Sequence, residues 1–281
     1  MIPPSDGGRG GARSSGRDRL GAGSGPTHPF LRSLDSGLPV VGCWTESGPS
    51  PLVGDARWDR DGDGDPAVPA VLKLEGDSGG SVLTAVGEPV RLANVLRHVA
   101  ETLETAPRGV VVTRGTGEHA AATLASWGLA KTSEWDRMAT TVMPDVPATV
   151  LVERLELDHD HDAIAELLAV ASPATQHGVD APGHDWYGVR APDGTLSAVG
   201  ASVLRDGPDG EFAHLGGIAT RPELRGQGLA TAVTAHLTAG GVAAHGMVTL
   251  GMYADNTVAR RVYERLGFRV IHEVETWRPA G

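Results

Sequence analysis

Residues 223–237, ELRGQGLATAVTAHL, decide how this chain is read. Arg225, Gly226 and Gly228 lead directly into an alanine- and leucine-rich run, so a glycine turn precedes a helix. The first N–H groups of a helix have no intrahelical acceptor, and the peptide dipoles concentrate positive charge there. Glycines let the backbone approach an anion closely and adopt angles that other residues avoid. The stretch is thus a candidate phosphate cradle, with Arg225 and Arg221 in reach of charge-assisted bonds. The competing reading is a surface turn that merely caps a helix.

Two common phosphate motifs fail here. A dinucleotide fold needs G-x-G-x-x-G on the first strand–helix turn, and Thr231 stands where the third glycine belongs. A P-loop needs G-x-x-x-x-G-K-[ST], and no such lysine follows. A pyrophosphate held by another fold is left.

Outward from the loop, two units emerge. Residues 1–27 are Gly, Ser, Arg and Pro with little to bury, so a disordered tail is expected, with order from about Phe30. A first unit, 28–146, holds a helix at 90–104, with Leu92, Val95, Leu96, Val99 and Leu103 on one face. A strand at 109–115, a helix at 118–129 and one or two strands in 131–142 follow. The second unit, 147–281, opens with a strand at 148–155 and a helix at 162–171. A hairpin at 185–204 turns at Asp193-Gly194. A strand at 210–220 is broken by Gly216-Gly217, the mark of a bulge. After the loop helix come a strand at 247–254, a helix at 256–268 and a strand at 269–277. Both units end helix, strand, helix, strand, with a glycine after the last helix (Gly128-Leu129, Gly267-Phe268) and a late Glu/Trp strand, which reads as a divergent internal repeat.

RGQGLA (225–230) and NTVARRVYERLGF (256–268) together resemble the GNAT superfamily of N-acetyltransferases. The first satisfies its Q/R-x-x-G-x-G/A loop. The second carries its Asn, then Tyr seven positions on, then Gly-Phe. The resemblance covers roughly residues 150–277. It implies an α+β (mixed α/β) fold, a largely antiparallel twisted sheet flanked by helices, here as two such domains in tandem. It also implies acetyl-CoA as co-substrate, with acetyl passing directly to a primary amine in a ternary complex. Backbone groups of Ile218, Ala219 and Thr220 would take the pantetheine, and Arg225, Gly226, Gln227, Gly228, Leu229, Ala230 and Thr231 the pyrophosphate. Asn256 would reach the cofactor, and Tyr263 would be the general acid.

The residues support this independently, since Asn256, Ala259 and Tyr263 share one helical face. A base is less evident. The strand after the loop helix, VTLGMYAD, has no glutamate, which leaves Glu211 and His214 as candidates; His177, His184 and Asp185 lie where the family shapes its acceptor pocket. The first unit has no R-x-x-G-x-A loop, so it is expected to bind no CoA and to pack on its sibling.

Composition limits the alternatives. The formal charge of −11 argues against a nucleic-acid partner and suits an amine-bearing one, although solubility explains it equally well. Cys43 is the only cysteine, so no internal disulfide or cysteine-rich metal site is expected, and no metal. No apolar run spans a bilayer and the start lacks a signal-peptide core, so a cytoplasmic protein with no membrane partner is expected; a small-molecule or peptide amine is the acceptor class, and a homodimer is left open. GDSGGS (76–81) copies a serine-protease phrase, but only His28 precedes Ser78, beside the tail, which leaves no room for that two-barrel fold, and it reads as a turn. DRDGDGD (59–65) starts like a calcium loop, but position twelve is Ala70 and Pro66 interrupts. DHDHD (158–162) reads as a helix cap. A non-catalytic acyl-CoA sensor and a scaffold with a vestigial loop are the rival functions.

Overall fold

A computed structural model describes residues 71–77, 80–103, 105–207 and 210–280. The expected tail, Phe30, Cys43, the DRDGDGD stretch and two residues of GDSGGS lie outside the described residues. The first unit contributes β1 (Val71–Asp77), β2 (Gly80–Val86), α1 (Pro89–Thr102), β3 (Gly109–Thr113), α2 (Thr116–Ser126) and β4 (Leu129–Thr140). The second contributes β5 (Glu153–Arg154), α3 (Leu157–Ala171), β6 (His184–Arg190), β7 (Leu196–Gly207) and β8 (Gly210–Thr220). A 3-10 turn (Pro222–Leu224), α4 (Leu229–His245), β9 (Val248–Tyr253), α5 (Thr257–Arg265) and β10 (Arg269–Pro279) complete it.

All ten strands form one sheet, in the order β1-β2-β3-β10-β4-β9-β8-β7-β6-β5. Two domains packed side by side were expected; the boundary at 146/147 instead separates segments that share a continuous ladder. The reason is an exchange of last strands. β4 ends the first copy but lies between β9 and β10 of the second, and β10 ends the second but lies between β3 and β4 of the first. Aligning the copies on Gly128 and Gly267 makes Trp135 the counterpart of Val274. These two residues are register partners, so a pseudo-twofold axis passes through the β4–β10 pair.

Alternation along β4 and β10 sends Glu134, Asp136, Glu273 and Glu275 to one face beside that axis, where Glu134 faces Glu275 and Asp136 faces Glu273. Opposed like charges repel, and three cations offset them. Arg114 pairs with Asp136 at 2.8 Å and with Glu134 and Glu273 at 3.1 Å. Lys131 bridges Glu134 and Glu275. Arg260 of α5 holds the second oxygen of Asp136, which is wholly buried. Glu275, also buried, accepts the Gly117 N–H at the start of α2 at 2.6 Å.

Among the described residues the apolar side chains form three larger clusters and a small fourth one of Ala139, Phe212 and Met247. Leu92, Leu96 and Leu124 of α1 and α2 pack on Leu83, Val110 and Val112. Val233 and Leu237 of α4, with Tyr263 of α5, pack on Ala213, Leu215, Leu250 and Met138. Ile164 and Leu167 of α3 cover the opposite sheet face over Trp186, Val199 and Ala219. α3 begins at Leu157, earlier than its apolar pattern indicates, so DHDHD forms its first turn rather than a preceding cap. Asp160 does reach back, accepting the Glu156 N–H at 2.9 Å. The strand expected at 148–155 is ordered as β only at Glu153–Arg154. No helix among the described residues is long and apolar enough to cross a membrane.

Removing one partner of a buried ion pair strands the other charge, at about 3–5 kcal/mol. Asp136→Ala should therefore lose about that much stability in urea denaturation. A loss below about 1 kcal/mol, the surface-pair range, would show that the seam is not held by this carboxylate.

Candidate active site

β8 and β9 run parallel but pair only at Ala213–Leu215 with Val248–Leu250. Past that point a bulge intervenes: the β7–β8 register jumps between Ala201↔Gly216 and Val199↔Ala219. Both expected bulge glycines are required here. A Cβ on Gly216 would lie 2.3 Å from the His177 ring, and one on Gly217, at φ +60°, would lie 2.5 Å from the Trp186 ring. The strands part, and the β9-facing edge of Gly216–Thr220, including Ile218 and Ala219, carries no ladder bond to β9. Backbone polar groups want partners, so this edge is a place for an extended ligand with amides of its own.

The strand leads into the loop. Gly226 and Gly228 have φ of +78° and +80°, and a Cβ on either would meet nothing within 4 Å, so the space before them is open. Gly228 caps α4 with no side-chain bond, and the helical ladder begins with Ala232 N–H donating to Gly228. The N–H groups of Gly228, Leu229, Ala230 and Thr231 therefore have no intrahelical acceptor. Gln227 is exposed beside them. The two arginines behave differently from the expectation. Arg221 is committed to Glu166 through two bonds, at 3.1 and 2.6 Å, and to the Leu196 carbonyl. Arg225 donates to the carbonyls of Thr220 and Ala171, which pins the loop to the ends of β8 and α3.

Asn256 is the N-cap of α5, its side-chain oxygen accepting the Ala259 N–H at 3.0 Å, which leaves its amide nitrogen as the donor for a ligand. Tyr263 lies two turns on, packed against Phe268 with ring centroids 6.0 Å apart. Burial pushes its pKa up to about 12.

The two candidate bases separate. Glu211 is exposed at the hairpin end of β8, on the face opposite His214 and five residues before Gly216, about 16 Å along the strand. His214 lies two residues before the bulge and bonds Thr249 Oγ1 at 2.9 Å. Burial, then the neighbouring His177, Arg137, Arg205 and His184, hold it well below the usual histidine range. The His177 ring is 5.6 Å from that of His214, and His177 Nδ1 lies 3.0 Å from His184 Nε2. His184 Nδ1 faces the carbonyls of Ala181 and Pro182 at 3.1 and 3.2 Å, so it must carry the proton. In the neutral pair His184 Nε2 then accepts from His177 Nδ1–H, and the basic nitrogen of His177 is Nε2. The sequence places His177 and His184 in the acceptor-pocket stretch, and the bulge packing brings them to His214. Asp185 is instead paired with Arg154 at 2.6 Å.

Among its described residues the first unit shows none of these features. β2 pairs with β3 in parallel from Val82 to Ala85 without a bulge, leaving no gap. The helix that follows, α1, is capped by Glu88, whose carboxylate accepts the N–H groups of Arg91 (2.8 Å) and Val90 (3.1 Å). An internal carboxylate occupies the position where an anion would bind.

Residues 190–278 match the FR47-like protein family model. A GCN5-related N-acetyltransferase from Kribbella flavida is 19% identical over 76% of this chain and 88% of its own, with a TM-score of 0.50. A GNAT-family acetyltransferase from Colwellia psychrerythraea is 17% identical over 89% and 96%, with a TM-score of 0.52. A Drosophila protein is 15% identical over 78% and 77%, with a TM-score of 0.55. No curated protein sequence matches. The chain has the GNAT fold, and its C-terminal part carries the FR47-like pattern.

His272, buried on β10 and a register partner of Arg137, is pushed down to about 4 by burial and that guanidinium. The unfolded chain binds a proton there near pH 6.5, which the native state refuses until about pH 4. Stability should fall as pH drops through that window. His272→Gln should shrink the loss between pH 7 and 4.5 by about 2 kcal/mol, read from urea curves at both pH values. An unchanged difference would mean that His272 takes up its proton in the native state.

Proposed function

We propose that the chain is an acetyl-CoA-dependent N-acetyltransferase that moves an acetyl group directly to a primary amine in a ternary complex. The observation that carries this is the unpaired edge of β8, which runs straight into an uncapped helix N-terminus with Tyr263 behind it. Pantetheine has amides that can pair with Gly216–Thr220 as an added strand does. A pyrophosphate fits the N–H groups of Gly228–Thr231 and the positive helix end. Gly226 leaves it room, and Arg225 holds the loop in shape.

Acetyl-CoA supplies the activated thioester; the residues of the chain supply order and proton handling. The splayed N–H groups after the bulge are donors aimed at the thioester carbonyl. An amine near pKa 10 is mostly protonated at neutral pH and must lose that proton to attack. His177 Nε2 is set to receive it, and the imidazolium so formed keeps its Nδ1 proton as a hydrogen bond to His184 Nε2. His214 beneath it stays neutral and adds no competing cation. Tyr263 keeps its proton at every working pH. A phenol near 12 is a weaker acid than a thiol near 8.5, so Tyr263 would stabilise the departing thiolate by donating a hydrogen bond that strengthens as negative charge builds on the sulfur.

The packing of Tyr263 against Phe268 favours one rival, a CoA-binding protein in which this tyrosine is structural. Tyr263→Phe distinguishes them. Acetyl transfer to an amine should fall about 10²-fold, the lower end for a general acid, while CoA affinity stays within about twofold. Unchanged turnover would remove Tyr263 from the chemistry, and wild-type protein that binds CoA but acetylates no amine would favour the sensor.

A further inference from the structure

A second cleft wall lies across the splay from the histidines. Trp135 of β4 and Tyr253 of β9 are register partners, and their rings meet with centroids 3.8 Å apart and planes tilted by 32°. Both are part-exposed. Trp135 Nε1 donates to Ser133 Oγ at 2.8 Å, which orients the indole. The Tyr253 hydroxyl donates to the Ala174 carbonyl at 3.4 Å. That carbonyl belongs to the same segment that carries His177 to the bulge, so residues 172–183 bridge the opening from one wall to the other. Between the walls, on the same face of β9, is Gly251, which is exposed, and a Cβ there would meet nothing within 4 Å. The floor is bare.

We propose that Trp135 and Tyr253 bind the non-reacting body of the acceptor, and that the acceptor is a primary amine bearing an aromatic ring on a short tether. This rests on the acetyltransferase reading above. Strand geometry sets the tether: Tyr253 stands about 7 Å further along the strands than Gly216, beside which the amine must react. Two or three carbons between nitrogen and ring span that gap once the side chains lean in. The charge pattern favours a ring over a polyamine. The carboxylates Glu134, Asp136, Glu273 and Glu275 all lie on the opposite face, neutralised by Arg114, Lys131 and Arg260, whereas His177, His184, His214 and Arg137 line this one. A second ammonium would lie near Arg137 and find none of the seam carboxylates on this face. Trp135 also belongs to the first copy, so the degenerate half completes the acceptor site of the other.

The test is calorimetric titration of the full chain, saturated with CoA, with 2-phenylethylamine and with n-hexylamine. Ring stacking predicts that the aromatic amine binds about three- to tenfold more tightly. Trp135→Leu should abolish that difference and Trp135→Phe restore most of it. Equal affinities in the wild type, or a preference that survives Trp135→Leu, would overturn the proposal. CoA affinity of each variant, measured in the same way, reports separately on the fold and on the acetyltransferase reading. If CoA fails to bind, that reading falls, while the amine titrations still decide whether the wall prefers a ring.

Discussion

The structure depends on the antiparallel pairing of β4 with β10. Each strand ends its own copy and is inserted into the other, so neither copy has a complete sheet alone. The pairing brings four carboxylates together beside the pseudo-axis, an arrangement that is tolerable only because Arg114, Lys131 and Arg260 converge on them. Of the four, Asp136 and Glu275 are buried, and left unpaired each would cost several kcal/mol. Arg260 extends that seam into α5, the helix that carries both Asn256 and Tyr263. The carboxylate that anchors the helix comes from the first copy.

The two units contribute differently to the cleft. The first copy keeps the strand-helix-strand frame, with β2 and β3 in parallel as β8 and β9 are. Its described residues show no bulge between the parallel strands, and Glu88 caps the helix terminus. What it contributes is β4, with a buried face that fixes α5 and an open face that presents Trp135 to the cleft. The second copy keeps the features a cofactor needs: glycines where side chains would collide, glycines at positive φ in the loop, and N–H groups without acceptors.

The sequence made local features legible and long-range ones not. The loop glycines, the Gly216-Gly217 bulge and the Asn256–Tyr263 spacing were readable because each is set by backbone conformation within a few residues. The exchange was not, because periodicity says that a strand exists without saying whose edge it joins. The same limit hid the histidine group, since His177 and His184 flank an irregular segment and reach His214 only when Gly216 lets a ring lie on the strand. It also hid the commitment of Arg221 to Glu166, an ion pair between distant elements.

The central claim is that one copy binds CoA and the other cannot. Calorimetric titration of the full-length chain with CoA, read for stoichiometry, tests it most directly. One site per chain is the predicted result, with a binding isotherm that does not change when Glu88 is replaced by Gln. Two sites per chain would contradict the reading of Glu88 and the closed β2–β3 pair. No binding would contradict the account as a whole and leave the glycine loop as a helix cap.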